Sequence, residues 1–429
     1  MGNLKLTISK SGLGLHLILV FIMLVCYHFF YLFKYPVFLD SVTWIYNLAI
    51  LLFIFSVVWL VLYFQVLRQY RWLCRYLLAL VISVFFLLVD SIYRYPLQSL
   101  IDTVRVALVF LIPMLSVCFL LELDYFSRME CMLEFINGIC LIWNLLLIVQ
   151  SIVYARSGNL LFDFSSYFIG DMVYTRNSSI RMSSGLLSQY MFIYNFASLY
   201  KNRNQRSRSW VYHAFAFVIG MYCVFFIAQT RADEVYILLA IMAVLFIGSD
   251  SWKSKMLTIV VLIASLIFIY NNDFIGDFIQ SFDSTGINQN GTTHRLYAIE
   301  YYLEVIKQHP IFGNAFAMTT NKVNPYYYVE HGSVGWAYYS DVGFLGLLAN
   351  VGIFGIVVYI IPLIRQLFII KKLLRKYTVH ELAFLIGSFT YMLVSSATLI
   401  STDAARMVQF AFIIALFEAN YSKLSQQVL

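Results

Sequence analysis

Charge is scarce in this chain. Lysine, arginine, aspartate and glutamate make up 12% of its 429 residues, about half the share of an ordinary soluble domain. Hydrophobic residues make up 61%. A water-soluble globule cannot hide that much apolar surface, so much of it must face lipid. Cysteine is sparse too. Cys26, Cys74, Cys118, Cys131, Cys140 and Cys223 all lie in or beside apolar runs, without metal-ligand spacing. No disulfide framework and no metal site are expected. A cleavable leader is not expected: the first apolar run, near 14–33, is too long for a signal core and lacks a small-residue cleavage site. No repeat or linker marks a second soluble unit, so residues 1–429 read as a single membrane domain.

What is present is a series of apolar runs. They fall near 14–33, 44–64, 75–93, 103–121, 133–153, 185–200, 210–229, 235–249, 256–271, 340–362, 382–400 and 405–420. A span needs about 20 residues, so the sequence predicts an all-α, polytopic membrane bundle of about 12 transmembrane helices. The runs at 185–200 and 405–420 are short enough to be re-entrant.

The net charge of +7 does not indicate nucleic acid, because position matters more than the sum. With both termini in the cytoplasm, eighteen of the 29 basic residues fall on the inner side, in clusters such as Arg68–Arg75, Lys201–Arg208 and Arg365–Lys376. Eleven remain outside, as the positive-inside rule requires. Two long connections then lie outside, 154–184 and 272–338, and the second is the largest polar segment of the chain.

The basic residues also divide by type. Inside there are nine lysines and nine arginines; outside there are three lysines and eight arginines. Solvation alone gives no reason for that bias. A planar fork that grips phosphate or carboxylate through two hydrogen bonds does. Arg181 opens the run Arg181-Met-Ser-Ser-Gly185, Arg231 sits in the tight turn before Asp233, and Arg406 follows Ser-Thr-Asp403-Ala-Ala. The competing reading makes the external arginines interfacial anchors, paired with Asp102, Asp233 or Asp403.

Within 272–338, residues 293–306 read as a helix, with Leu296, Ile299, Leu303 and Ile306 on one face. Arg295 begins it and His309-Pro310 stops it. Such a helix is either interfacial or a lid packed on the bundle. The next run opens at Ser340-Asp341-Val-Gly-Phe. Its Gly343, Gly346, Ala349, Gly352 and Gly355 recur every three residues, a spacing that permits close helix contact in a membrane.

These pieces resemble the bacterial polysaccharide polymerase (Wzy-type) and O-antigen ligase superfamily. The likeness rests on the Arg181 entry, the Thr230-Arg231 turn, Arg295 with its amphipathic helix ending in His309-Pro310-Ile-Phe-Gly313, and Ser340-Asp341-Val-Gly-Phe. They follow in order across the C-terminal 60% of the chain. The resemblance implies a glycosyltransferase of the bacterial cytoplasmic membrane. It implies as partners a polyprenyl-pyrophosphate-linked oligosaccharide, membrane lipid, a chain-length regulator and a flippase. Arg181, Arg231, Arg295 and Arg406 suit the pyrophosphate. A sugar hydroxyl needs a base within hydrogen-bond reach, for which Asp341 and His331 stand first and Glu330 and His294 follow.

The chain lacks an Asp-x-Asp motif for a metal-bound nucleotide sugar and a phosphate loop ending in Lys-Ser/Thr. No metal and no cofactor are therefore expected. The ligase branch usually carries a histidine-rich stretch before the glycine-rich span; here only Glu330-His331-Gly-Ser is present, and the span opens on aspartate. That favours polymerase over ligase. A repeat-unit flippase is the other alternative. Against it stands the near absence of charge from the middle of the apolar runs, where a pumped pathway places ionisable groups.

Overall fold

The computed structural model describes residues 10–26, 44–161, 173–176, 179–182, 187–204, 207–228, 231–249, 251–271, 289–317, 342–398 and 404–426. The chain starts with α1 (Lys10–Cys26) and α2 (Trp44–Leu62), then α3 (Arg71–Arg94), α4 (Leu100–Val109) and α5 (Ser116–Leu120). Next comes α6 (Met129–Ser157), which ends on Gly158 in the left-handed region, φ +69°. A two-stranded antiparallel hairpin follows, β1 (Val173–Arg176) and β2 (Ser179–Met182). Then come α7 (Ser188–Lys201), α8 (Arg208–Tyr222), α9 (Arg231–Ile247), α10 (Trp252–Asn271) and α11 (Gln289–Gln308). The last elements are α12 (Gly343–Val351), α13 (Ile361–Leu373), α14 (Val379–Ser395) and α15 (Ala404–Gln426).

A helix lies in every one of the twelve apolar runs. Among the described residues, the strand pair inside 154–184 is the exception to an all-helical chain. Among the described residues, three helices are long and apolar enough to cross a membrane: Arg71–Arg94, Met129–Ser157 and Arg208–Ala228. Leu100–Val109 and Ile112–Tyr125 make a fourth if the pair, bent by 48°, is one span. Pro113, in the tight turn Ile112–Leu115, marks that bend, as expected of a residue that has no N–H to give the helix.

α3 shows why lipid is the solvent. Leu73, Leu77, Leu80, Val84 and Leu87 are buried at helical spacing, while Leu78, Ile82, Phe85, Phe86 and Val89 on the other side are exposed. A helix apolar on all sides belongs in a core or a bilayer, and here one half already faces the core. α15 is the opposite case. Phe412, Ile413, Ile414, Ala415, Leu416 and Phe417 are all buried, so this helix runs through the middle of the bundle. Its 23 residues extend past the apolar run read from the sequence. α7, with 14 residues, stays short.

Buried charges are paired where α3 begins and α15 ends. Arg365 grips Glu418 through Nε and Nη2, at 2.7 and 3.1 Å, and lies over the rings of Trp72, Phe368 and Tyr421. Glu122, fully buried, meets His16 at 2.6 Å and Arg128 at 3.5 Å. Arg128 also donates to the carbonyl of Gly12 at 2.6 Å. Tyr70 donates to Asp124. These pairs fasten α1 and α15 to the rest of the bundle. Thr378 and Glu381 start α14 with reciprocal side-chain bonds to backbone N–H groups, the local signature of a capping box.

The glycine run departs from its sequence reading. The small residues do not form one stripe along one helix. α12 ends at Val351, and Gly352 takes φ +57°. The chain resumes in a wide turn, Ile356–Ile360, and continues as α13. The segment after α11, residues 310–316, occupies the break. Asn314 and Ala315 donate to the carbonyls of Ala349 and Asn350 at 2.8 and 2.7 Å, and Ile353 donates to those of Pro310 and Ile311 at 3.2 Å. From the other side, Tyr95 and Gln98 donate to the carbonyls of Asn314 and Phe316, and Ser91 accepts from the N–H of Phe316. Arg94, paired with Asp90 at 2.7 Å, donates to the carbonyl of Gly313. His309-Pro310-Ile-Phe-Gly313 is therefore a plug between a broken helix and the end of α3.

Candidate functional site at the start of α9

Arg231 is the first residue of α9. Two positions on, Asp233 accepts hydrogen bonds from the Tyr391 hydroxyl at 2.8 Å and from Gln189 Nε2 at 3.1 Å. One carboxylate thus ties α7, α9 and α14 together at one end of the bundle. A turn later Tyr236 and Thr398 share a hydrogen bond of 2.5 Å. Tyr190, fully buried, meets the Tyr391 ring edge-on at 5.2 Å. Behind this pair lies a cavity of about 50 Å³, lined by Tyr190, Tyr359, Met392, Ser395, Arg406 and Gln409 among others. That volume suits a few waters or a small anion, not a sugar ring. A larger substrate would have to lie over its mouth, where Arg406 is exposed.

The other arginines follow from the backbone. Arg181 stands in β2 opposite Tyr174. β2 packs on α6 and on the wide turn Cys223–Ala228 that precedes Arg231, and its last residue, Met182, is buried. Arg181 and Arg231 therefore lie on neighbouring elements. Arg295 is exposed on α11. That helix packs on α12 through Ala298, Tyr302 and Val305 against Val342 and Ala349, and α12 contributes Leu347 to the cavity wall. No described side-chain contact joins Arg295 to Arg406. His294 is in the first turns of α11. Asp341, His331 and Glu330 lie outside the described residues.

Two of the arginines expected outside behave as anchors. Arg94 holds the plug, and Arg105 pairs with Asp102 at 3.3 Å. Tyr301, on the polar segment, has its phenol pushed up to about 12, first by burial and then by Tyr297 and Tyr95. It stays protonated near neutral pH and cannot serve there as a base.

Residues 215–360 match the family model for O-antigen ligase. The resemblance read from the sequence holds over that stretch. No curated protein matches the chain. The matched stretch runs from α8 to the wide turn before α13. It contains Arg231, Asp233, Arg295, the plug and the Gly352 break. Arg181 and Arg406 lie beyond its ends.

Gln189, Tyr190, Tyr391 and Gln409 went unnoticed in the sequence. A signal was present: each is a polar or amphipathic residue inside an apolar run. Asp233, a candidate partner for arginine in the sequence, also accepts hydrogen bonds from Tyr391 and Gln189.

Proposed function

We propose that this protein is a polysaccharide polymerase of the bacterial cytoplasmic membrane. It joins polyprenyl-pyrophosphate-linked repeat units at the outer face, with the loop end of the bundle outside, both termini in the cytoplasm and about 12 spans. What supports the reading is the meeting of α7, α9 and α14 on Asp233, beside the cavity that Arg406 lines and with the Arg181 strand packed on the turn that precedes α9, together with a stretch that matches the O-antigen ligase model. The acceptor hydroxyl attacks the anomeric carbon of the donor sugar. The bond from that carbon to the pyrophosphate oxygen breaks, and the oxygen leaves with the electron pair. The hydroxyl proton passes to a base, Asp341 first and His331 second. Arg181, Arg231, Arg295 and Arg406 bind the pyrophosphate and meet the charge that grows on it. The transfer draws on no metal and no cofactor. A chain-length regulator and a flippase are the expected protein partners.

Ligation is the second reading, favoured by the family model that matches. Deleting the gene and running the surface polysaccharide on a gel separates the two. Loss of the ladder with single repeats still exported indicates a polymerase. Loss of all surface glycan with lipid-linked polymer retained indicates a ligase. Cytoplasm-facing lipid-linked repeats indicate a flippase and contradict both.

Three further outcomes are expected. Lysine at Arg181, Arg231 or Arg295 keeps the charge and loses the fork, so activity should fall roughly ten- to a hundredfold, the worth of one charge-assisted hydrogen bond. Full polymer from all three variants at normal protein levels would reduce these residues to anchors. Asp341→Asn keeps the size and polarity of the side chain but cannot accept a proton; near-normal polymer would move the base to His331. A phosphatase reporter should be active at Ser284 and silent at Thr378, and the reverse pattern would overturn the orientation.

A further inference from the structure

The plug fixes the level at which α11 sits. Residues 310–316 are bonded to Ser91, Arg94, Tyr95 and Gln98, so the C-terminal end of α11 rests where α3 leaves the bundle. That rim is apolar and open: Tyr93, Leu97, Leu100 and Ile101 are 60–89% exposed. Along α11, about 100° per residue, three faces can be told apart. Ala298, Tyr302 and Val305 are buried on α12. Glu300, Glu304 and Lys307 are exposed and polar. Between them lie Leu296, Ile299 and Leu303, exposed by 51%, 38% and 43%. A helix that only packed as a lid would not need the third face.

We infer that α11 lies in the plane of the membrane surface, with Leu296, Ile299 and Leu303 sunk among the acyl chains of bilayer lipid. The occupant is bilayer lipid because the face continues through Ile311, 56% exposed, into the open apolar rim of α3 and α4. The carboxylates of Glu300 and Glu304 meanwhile point to the side where water and headgroups lie. A helix with one protein face, one acyl face and one charged face is held at the interface. It therefore sets the depth of Arg295, in its second turn. The inference rests on the membrane reading of the bundle and not on glycosyl transfer.

The test uses the full chain in vesicles of phosphatidylethanolamine and phosphatidylglycerol, free of polyprenyl lipid. A photo-crosslinking phenylalanine analogue is placed at one position at a time, Leu296, Leu303, Glu300 or Glu304. All four are exposed, so folding should be preserved, and the unaltered melting profile checks it. Severalfold more phospholipid adduct at Leu296 and Leu303 than at Glu300 and Glu304 is expected. Equal adducts at all four positions would overturn the inference. So would a crosslinked dimer from Leu303, which makes the occupant a second copy. So would loss of the phospholipid adduct on adding polyprenyl phosphate, which makes it a tail site. None of these results depends on polymer synthesis.

Discussion

Alanine at Gly352 is expected to destabilise the protein by roughly 2–5 kcal/mol, from left-handed backbone strain together with overpacking. At φ +57° a Cβ on residue 352 would overlap the carbonyl of Ile311 and crowd the N–H of Phe312. Both are backbone, so neither can swing aside. The break in the helix and the plug would have to separate, with loss of the bonds from Asn314, Ala315 and Ile353. Gly313 faces the same constraint from the other side, at φ +59° against Ala349 and Asn350. Gly138→Ala is the control. It sits inside α6 with nothing within 4 Å of a new Cβ, so it should be neutral or slightly stabilising. Thermal unfolding in detergent, followed by loss of monomer, measures both variants. A Gly352→Ala protein that melts with the wild type would mean that the plug does not dock there.

Methionine at Arg365 should cost about 3–5 kcal/mol, the usual result of leaving one member of a buried ion pair behind. Glu418 is 4% exposed and takes two bonds from the guanidinium. Without them its charge stays in the bundle unmatched by Arg365, and the contacts to Trp72, Phe368 and Tyr421 are lost with it. Arg365→Met combined with Glu418→Leu should recover most of the loss, since an apolar pair of similar volume often replaces a buried ion pair without penalty. The same melts provide the measurement. If the double variant is no better than the single one, the ring contacts and not the charge pair hold α13 to α15.

The helices were legible because a bilayer imposes long apolar runs and each run carries its own hydrogen bonds. The break at Gly352 was not. Spacing at every third residue is equally compatible with a packed stripe and with an interruption, and only the crossing of 310–316 decides between them. The arginines expected outside divided in the same way. Arg94 and Arg105 are anchors through Gly313, Asp90 and Asp102. Asp233, Tyr391 and the cavity lined by Arg406 come together because α7, α9, α14 and α15 meet at one end, a relation between residues far apart in sequence. Tyr391 and Gln189 escaped notice for that reason: a tyrosine in an apolar run looks like core until its hydroxyl is seen on Asp233. α11 was read as either interfacial helix or lid. Its packing on α12 accounts for one face and leaves the apolar face read from the sequence open.

The central claim is polymer formation from lipid-linked repeats by this chain. Its most direct test is the purified protein in vesicles, supplied only with polyprenyl-pyrophosphate-linked repeat units from its own source. The account predicts a ladder of lengthening lipid-linked glycans with release of polyprenyl pyrophosphate, strongly reduced by Arg231→Lys. Repeat units recovered unchanged, beside folded protein with a wild-type melt, would contradict it.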